Sequence, residues 1–210
     1  MRDPHSRGRA DAVEENLDEL AALLTERSIR FGEFTLASGA TSHYYCDTKL
    51  TALSPRGAKI LGETLCSLLQ RFDVEAVGGL AMGASYLATA VAIASEGTSR
   101  PIYGFCVRSE QKEHGRGQKI DVSWHPEGDL LTPGRRVALL DDVVTSAGSV
   151  LRALDAVEEV GCEVAVVAAV LDRQAGGAER IRKRGYPFYA LLEADEKGRL
   201  RPGFDADSLR

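Results

Sequence analysis

The apolar runs "VEAVGGL", "PIYGFCV", "RVALL", "EVAVVAAVLD" and "PFYALLE" are spaced along the chain with stretches of helical periodicity between them. No other feature restricts the fold as much. A strand that reads as an unbroken apolar run is buried on both faces, and strands alternating with helices form a parallel sheet covered on either side. Residues 55–194 are therefore expected to form one α/β core, a central, mainly parallel sheet flanked by helices.

Ahead of that core, Val13, Leu17, Leu20, Leu23 and Leu24 recur at helical spacing and leave a glutamate-rich outer face, which predicts an amphipathic helix from Asp11 to about Arg27. "GEFTLASGATSHYYCDTKL" reads as two short extended pieces around Ser38-Gly39. Ser54 followed by Pro55 is an N-cap and first helical position, so "RGAKILGETLCSLLQRF" should open the core as a helix. The chain divides on this reading into a flexible lead-in (1–10), an amino-terminal helix and small hood segment (11–54), the core (55–194) and a tail (195–210).

In such sheets ligands collect at the carboxyl ends of the strands. Unusual polar or small residues stand there: Gly78-Gly79, Arg108, Asp141-Asp142 and Asp172-Arg173. The segment "VALLDDVVTSAGSV", residues 137–150, carries the most information. Two adjacent carboxylates at a strand end need a partner, either a sugar diol or a hydrated cation. The hydroxyl-rich loop that follows leads into a helix, whose first backbone N–H groups bind phosphate. An isolated acidic pair is commonly a turn cap, but apolar run, acidic pair, hydroxyl loop and helix in that order favour a ribose 5-phosphate site.

Neither a Walker loop nor a dinucleotide fingerprint occurs. The segment instead resembles the phosphoribosyl pyrophosphate signature of type I phosphoribosyltransferases. Three further stretches resemble the orotate branch of that family: "FTLASGATSHYY" its hood, "VRSEQKEHG" its mobile catalytic loop and "LDRQAGG" the end of a late strand. The likeness spans about Val13 to Leu192 and implies a type I phosphoribosyltransferase fold. It implies transfer of a phosphoribosyl group to orotate, in de novo pyrimidine synthesis, with Mg²⁺ as cofactor and a homodimer whose loops cross into each other's sites.

By that resemblance Asp141 and Asp142 contact the ribose hydroxyls, and Mg²⁺ only through water or substrate. Thr145, Ser146, Ala147, Gly148 and Ser149 cradle the 5-phosphate, and Val143 and Val144 belong to the same phosphoribosyl pyrophosphate site. Arg108, Lys112 and His114 close over the pyrophosphate; from the residues alone this glycine-flanked stretch reads equally as a solvated charged loop. Ser109 departs from the family, which commonly has lysine there. The loop Gly78 to Gly83 matches the pyrophosphate loop, or is a tight strand-to-helix turn, and Met82 stands where some members have lysine. Arg173, whose planar fork suits a carboxylate, is implied to hold orotate with Thr145, while Tyr44 and Tyr45 line the base pocket or are core aromatics.

Lys49, His43, Trp124 and His125 read as packing or surface, and Arg180, Arg182, Lys183 and Arg184 as a solvated helix face. A net charge of −5 argues against a nucleic-acid coat. Four scattered cysteines read as reduced thiols, and no apolar run spans a bilayer. With no secretory signal, the expectation is a soluble, cytoplasmic protein. Two rival readings stand beside the main one: a transferase for another base, and a regulator that keeps the ribose-phosphate site as a sensor.

Overall fold

The computed structural model describes residues 4–35, 41–109, 119–126 and 128–206. Its centre is a sheet of seven strands in the order β5-β4-β3-β6-β7-β8-β9. These are β3 (Ala76–Gly78), β4 (Tyr103–Val107), β5 (Ile120–Val122), β6 (Arg136–Val144), β7 (Glu163–Asp172), β8 (Phe188–Ala194) and β9 (Leu200–Pro202). The five from β4 to β8 run parallel, and β5 and β9 close the edges antiparallel. The apolar runs are thus strands, as their composition requires, buried from both sides.

Helices α1 (Pro4–Arg27), α3 (Pro55–Leu69) and α4 (Gly83–Ser95) cover one face, where Leu17, Leu20, Leu65 and Leu87 meet Ala138, Leu140, Ala168 and Val170. Helices α5 (Gly148–Val160) and α6 (Gly177–Lys183) cover the other, where Leu154 and Ile181 meet Val137, Leu139, Val167 and Ala169. Successive residues of β6 serve opposite cores because strand side chains alternate. Ser54 caps α3 by accepting a hydrogen bond from the Gly57 amide at 3.2 Å. Helices α3 and α4 lie so close that a side chain at Gly62 would meet the Ala90 carbonyl.

Several boundaries differ from expectation. Helix α1 begins at Pro4 rather than Asp11, because a helix propagates beyond the turns whose side chains it buries. A short helix, α2 (Lys49–Ala52), precedes α3. The stretch 195–210 is not wholly a tail: Leu200–Pro202 pair with Leu192–Ala194 as an edge strand, too short to show an alternation of its own.

β1 (Ile29–Thr35) and β2 (Thr41–Cys46) form a separate antiparallel hairpin, the expected two extended pieces of the hood. Cys46, Cys66 and Cys162 are buried and Cys106 is half-buried; none is in a disulfide, and burial pushes the Cys46 thiol up to about 12. Among the described residues no helix is long and apolar enough to cross a membrane.

From β3 the chain moves through α4 to β4 on one side, then returns to β6 on the other. The order of strands therefore reverses between β3 and β6, and the carboxyl ends of those strands frame the crevice where an open α/β sheet receives its ligand.

Candidate active site

The backbone leaves β3 through Gly79, packed so tightly that a side chain there would lie 2.2 Å from the Leu140 carbonyl oxygen. Residues 80–82 turn, with a cis peptide between Ala81 and Met82, into α4 at Gly83. A Cβ on Gly83 would lie 2.5 Å from Asp142 Oδ1 and 3.5 Å from Asp141 Oδ1. The glycine loop and the acidic pair thus converge across the crevice. Met82 is 70% exposed at its rim.

Strand β6 continues past the expected end at Leu140 to Val144, so the aspartates belong to the sheet rather than to the loop behind it. Asp141 pairs with Ala169 of β7 and is 7% exposed. Burial, then the neighbouring Asp142 charge, push its carboxyl up to about 7, even though the Asp142 amide donates to Asp141 Oδ1 at 3.0 Å. Asp142 is gripped instead. Thr48 Oγ1 and the Tyr86 hydroxyl both donate to its Oδ2, each at 2.8 Å, and the Val143 amide donates to Oδ1 at 3.0 Å.

Among the described residues no group of three or more His, Cys, Asp or Glu side chains could hold a metal ion. The adjacent carboxylates would suit a Mg²⁺ ion only in a looser arrangement, in which the ion kept most of its waters. Asp141, whose proton is held unusually tightly, is the group that nearby positive charge would ionise.

Beyond Val144, whose side chain is in the core, the loop of Thr145, Ser146, Ala147, Gly148 and Ser149 reverses the chain. Ala147 takes a left-handed conformation, φ 62°, and α5 starts without a side-chain cap, so its first amides are free of that competitor and suited to an anion. The loop is braced from below. A Cβ at Gly177 would lie 2.6 Å from the Thr145 carbonyl oxygen, and Arg180 Nη1 donates to the Ser146 carbonyl at 2.6 Å. Arg180 is exposed, as expected of a solvated helix face, and from there it also supports this loop. Arg184 does lie outward, paired with Asp155 and Glu158.

Arg173 follows the end of β7, its amide bonded to the Val144 carbonyl. Its side chain crosses to the hood: Nε donates to the Tyr44 hydroxyl at 3.1 Å, Nη2 donates to Ser42 Oγ at 2.7 Å, and the guanidinium carbon lies 4.4 Å from the Tyr44 ring centre. Tyr44 and Tyr45 are not neighbours in one pocket. Strand alternation buries Tyr44 and turns Tyr45 outward, 46% exposed, beside Phe34.

Arg108 lies just past β4 and is ion-paired with Asp121 of β5; among the described residues its buried Nε has no hydrogen-bond partner. Arg108, Ser109, Lys119 and Arg152 border a cleft of about 270 Å³. Lys112 and His114 lie outside the described residues. His125 is buried with its ring against Tyr103, which agrees with a packing role, whereas Trp124 is exposed.

Thr48, Tyr86, Ser42 and Arg180 make contacts that sequence reasoning missed. Ser42 lies within the hood stretch without being singled out by it, and each contact becomes visible only when separate elements meet.

The Phosphoribosyl transferase domain family matches residues 62–188. The chain is 41% identical over 182 residues to the orotate phosphoribosyltransferase of Aquifex aeolicus, covering 85% of this chain and 96% of the relative. It is 38% identical over 195 residues to that of Rhodopirellula baltica, covering 90% and 97%. Among solved structures, Mycobacterium tuberculosis orotate phosphoribosyltransferase in complex with Fe(III) dicitrate superposes with a TM-score of 0.71 at 36% identity, over 85% of this chain and 96% of that one. The same enzyme in complex with phosphoribosyl pyrophosphate gives 0.66 at 30% identity, over 85% and 89%. With an acidic pair, a helix start free of any side-chain cap and a hood-held arginine at adjacent strand ends, the chain belongs to the phosphoribosyltransferase family, in its orotate phosphoribosyltransferase branch.

Proposed function

We infer that the protein transfers the phosphoribosyl group of phosphoribosyl pyrophosphate to orotate, giving orotidine 5-monophosphate and pyrophosphate in pyrimidine synthesis. The observation that carries this reading is the placement of Asp141-Asp142, the 145–149 loop and Arg173 at the ends of the neighbouring strands β6 and β7. The loop amides would take the 5-phosphate and the acidic pair the ribose hydroxyls. Arg173 would offer a planar cation to the orotate carboxylate, a group that purine bases lack.

No covalent nucleophile is required. As pyrophosphate departs, the ribose carbon gains positive character, and the chain's part is to hold both substrates in line and to meet the leaving charge with Arg108, Lys112 and His114. Mg²⁺, when bound with substrate, would supply further charge neutralisation. Arg108 is paired with Asp121, so engaging pyrophosphate requires exchanging that partner.

A homodimer with shared sites is part of the same reading. Its support is a shallow groove between α4 and β4–β5 lined by Ala88, Ala92 and Val122, with Ile93 (72%) and Trp124 (79%) exposed nearby. A cytoplasmic setting accords with this biosynthetic role and the unpaired thiols.

The deciding experiment follows orotate absorbance with purified protein, phosphoribosyl pyrophosphate and Mg²⁺, against a chelator control and competing purine bases. Magnesium-dependent loss of orotate alone is expected. Turnover of a purine would establish the other-base reading. Tight phosphoribosyl pyrophosphate binding without any turnover would establish the regulator.

A further inference from the structure

We propose that Thr48 and Tyr86 are positioning residues that lock the Asp142 carboxylate so that only Oδ1 faces the ribose; this deepens, and rests on, the phosphoribosyl-transfer reading. An ionised carboxylate offers about four lone-pair sites, roughly two on each oxygen. On Oδ2 both are taken, by Thr48 Oγ1 and by the Tyr86 hydroxyl. On Oδ1 the Val143 amide takes one, which leaves the other for a ligand hydroxyl.

Neither donor is a casual surface contact. Thr48 is 1% exposed, and its hydroxyl lies 3.4 Å from that of Tyr86, so the two converge on one oxygen inside the protein. A carboxylate oxygen that accepts two such bonds has no place for a proton of its own.

Gly83 completes the device from the open side. It stands beside Oδ1, where any side chain would cover the oxygen left for the ligand. One edge of the carboxylate is closed by hydroxyls, and the other is kept bare by the residue that starts α4.

The donors also come from elements that build other parts of the site. Thr48 follows β2, whose Ser42 and Tyr44 hold Arg173, and Tyr86 belongs to the helix that the glycine loop enters. Asp142 is the point where hood, glycine loop and β6 are joined. A staple meant only for stability could be made by apolar packing, without burying two hydroxyls and a charge that must satisfy one another.

The test compares Thr48→Val and Tyr86→Phe, which keep shape and remove one hydroxyl each, with Thr48→Ser, which restores it. Steady-state KM is measured for each substrate, with calorimetric binding of phosphoribosyl pyrophosphate and Mg²⁺, and melting temperature as the check on folding. Each hydroxyl deletion should raise KM for phosphoribosyl pyrophosphate roughly tenfold. KM for orotate should stay within about twofold, and Thr48→Ser should recover most of the loss. If Thr48→Val does not fold, Tyr86→Phe carries the comparison alone. An unchanged phosphoribosyl pyrophosphate KM in the folded variants, or a loss that serine does not repair, overturns the proposal. Should wild-type protein consume no orotate, the functional reading fails separately, and the calorimetric ranking of the same variants still decides whether the lock exists.

Discussion

Arg173 lies 4.4 Å from the ring centre of Tyr44 and donates from Nε to the hydroxyl of the same residue at 3.1 Å. One buried tyrosine of the hood therefore fixes both the plane and one edge of the guanidinium that ends β7. The relationship shows how a two-stranded hairpin outside the main sheet would become part of the proposed base site.

Tyr44→Phe should keep the stacked ring and lose the hydrogen-bond acceptor. KM for orotate is expected to rise roughly tenfold, the scale of a hydrogen bond to a charged group, while KM for phosphoribosyl pyrophosphate changes little. Steady-state kinetics with each substrate varied in turn decides this, and equal rises in both constants would count against a base-specific role.

Asp141 predicts a pH dependence of stability. Folding raises its carboxyl from an ordinary 3.8 to about 7, so the folded chain holds this proton more tightly than the unfolded chain. The stabilisation is fully present below about pH 3.8 and is lost as pH rises through 7, where folding must bury the charge. Asp141→Asn should therefore raise the melting temperature at pH 7.5, by on the order of 2–4 kcal/mol of stability, and by much less at pH 4. Denaturation curves across that range, showing no growing gap between variant and wild type, would sink the assignment.

Gly83→Ala places a methyl group against Asp142 Oδ1, at 2.5 Å before relaxation. Alanine is a better helix former, so α4 itself should not suffer. The expected outcome is weaker phosphoribosyl pyrophosphate binding, by about tenfold or more, with little change in melting temperature. Isothermal titration beside a thermal melt separates the two effects.

Lys112→Ala removes a cation assigned to the leaving pyrophosphate. Turnover should fall about a hundredfold or more, with the melting temperature unchanged. A single-turnover measurement places the loss on the chemical step, and unchanged turnover would remove Lys112 from the mechanism.

If each loop serves the neighbouring subunit's site, mixing Lys112→Ala with Arg173→Ala protein should restore activity that neither has alone. Hybrid dimers would contain some sites with both residues intact. Sedimentation showing a dimer, with no complementation, would keep the dimer and reject the shared sites.

Alternation of apolar runs with helical periodicity was enough to foresee the parallel core, since a strand covered on both faces has no other stable surroundings. The succession of strand end, hydroxyl-rich turn and helix start in residues 141–149 was likewise legible, because contiguous backbone builds it locally. Strand β9 escaped notice since three edge residues lack a period. Tertiary structure alone decided that Tyr44 and not Tyr45 meets Arg173, and that Arg180 braces the Ser146 carbonyl. It also decided that Thr48 and Tyr86, 94 and 56 residues from Asp142, close on one carboxylate oxygen. Local patterns report the contacts a chain makes with its near neighbours; hydrogen bonds between distant elements depend on how layers stack, and no spacing along the chain encodes them.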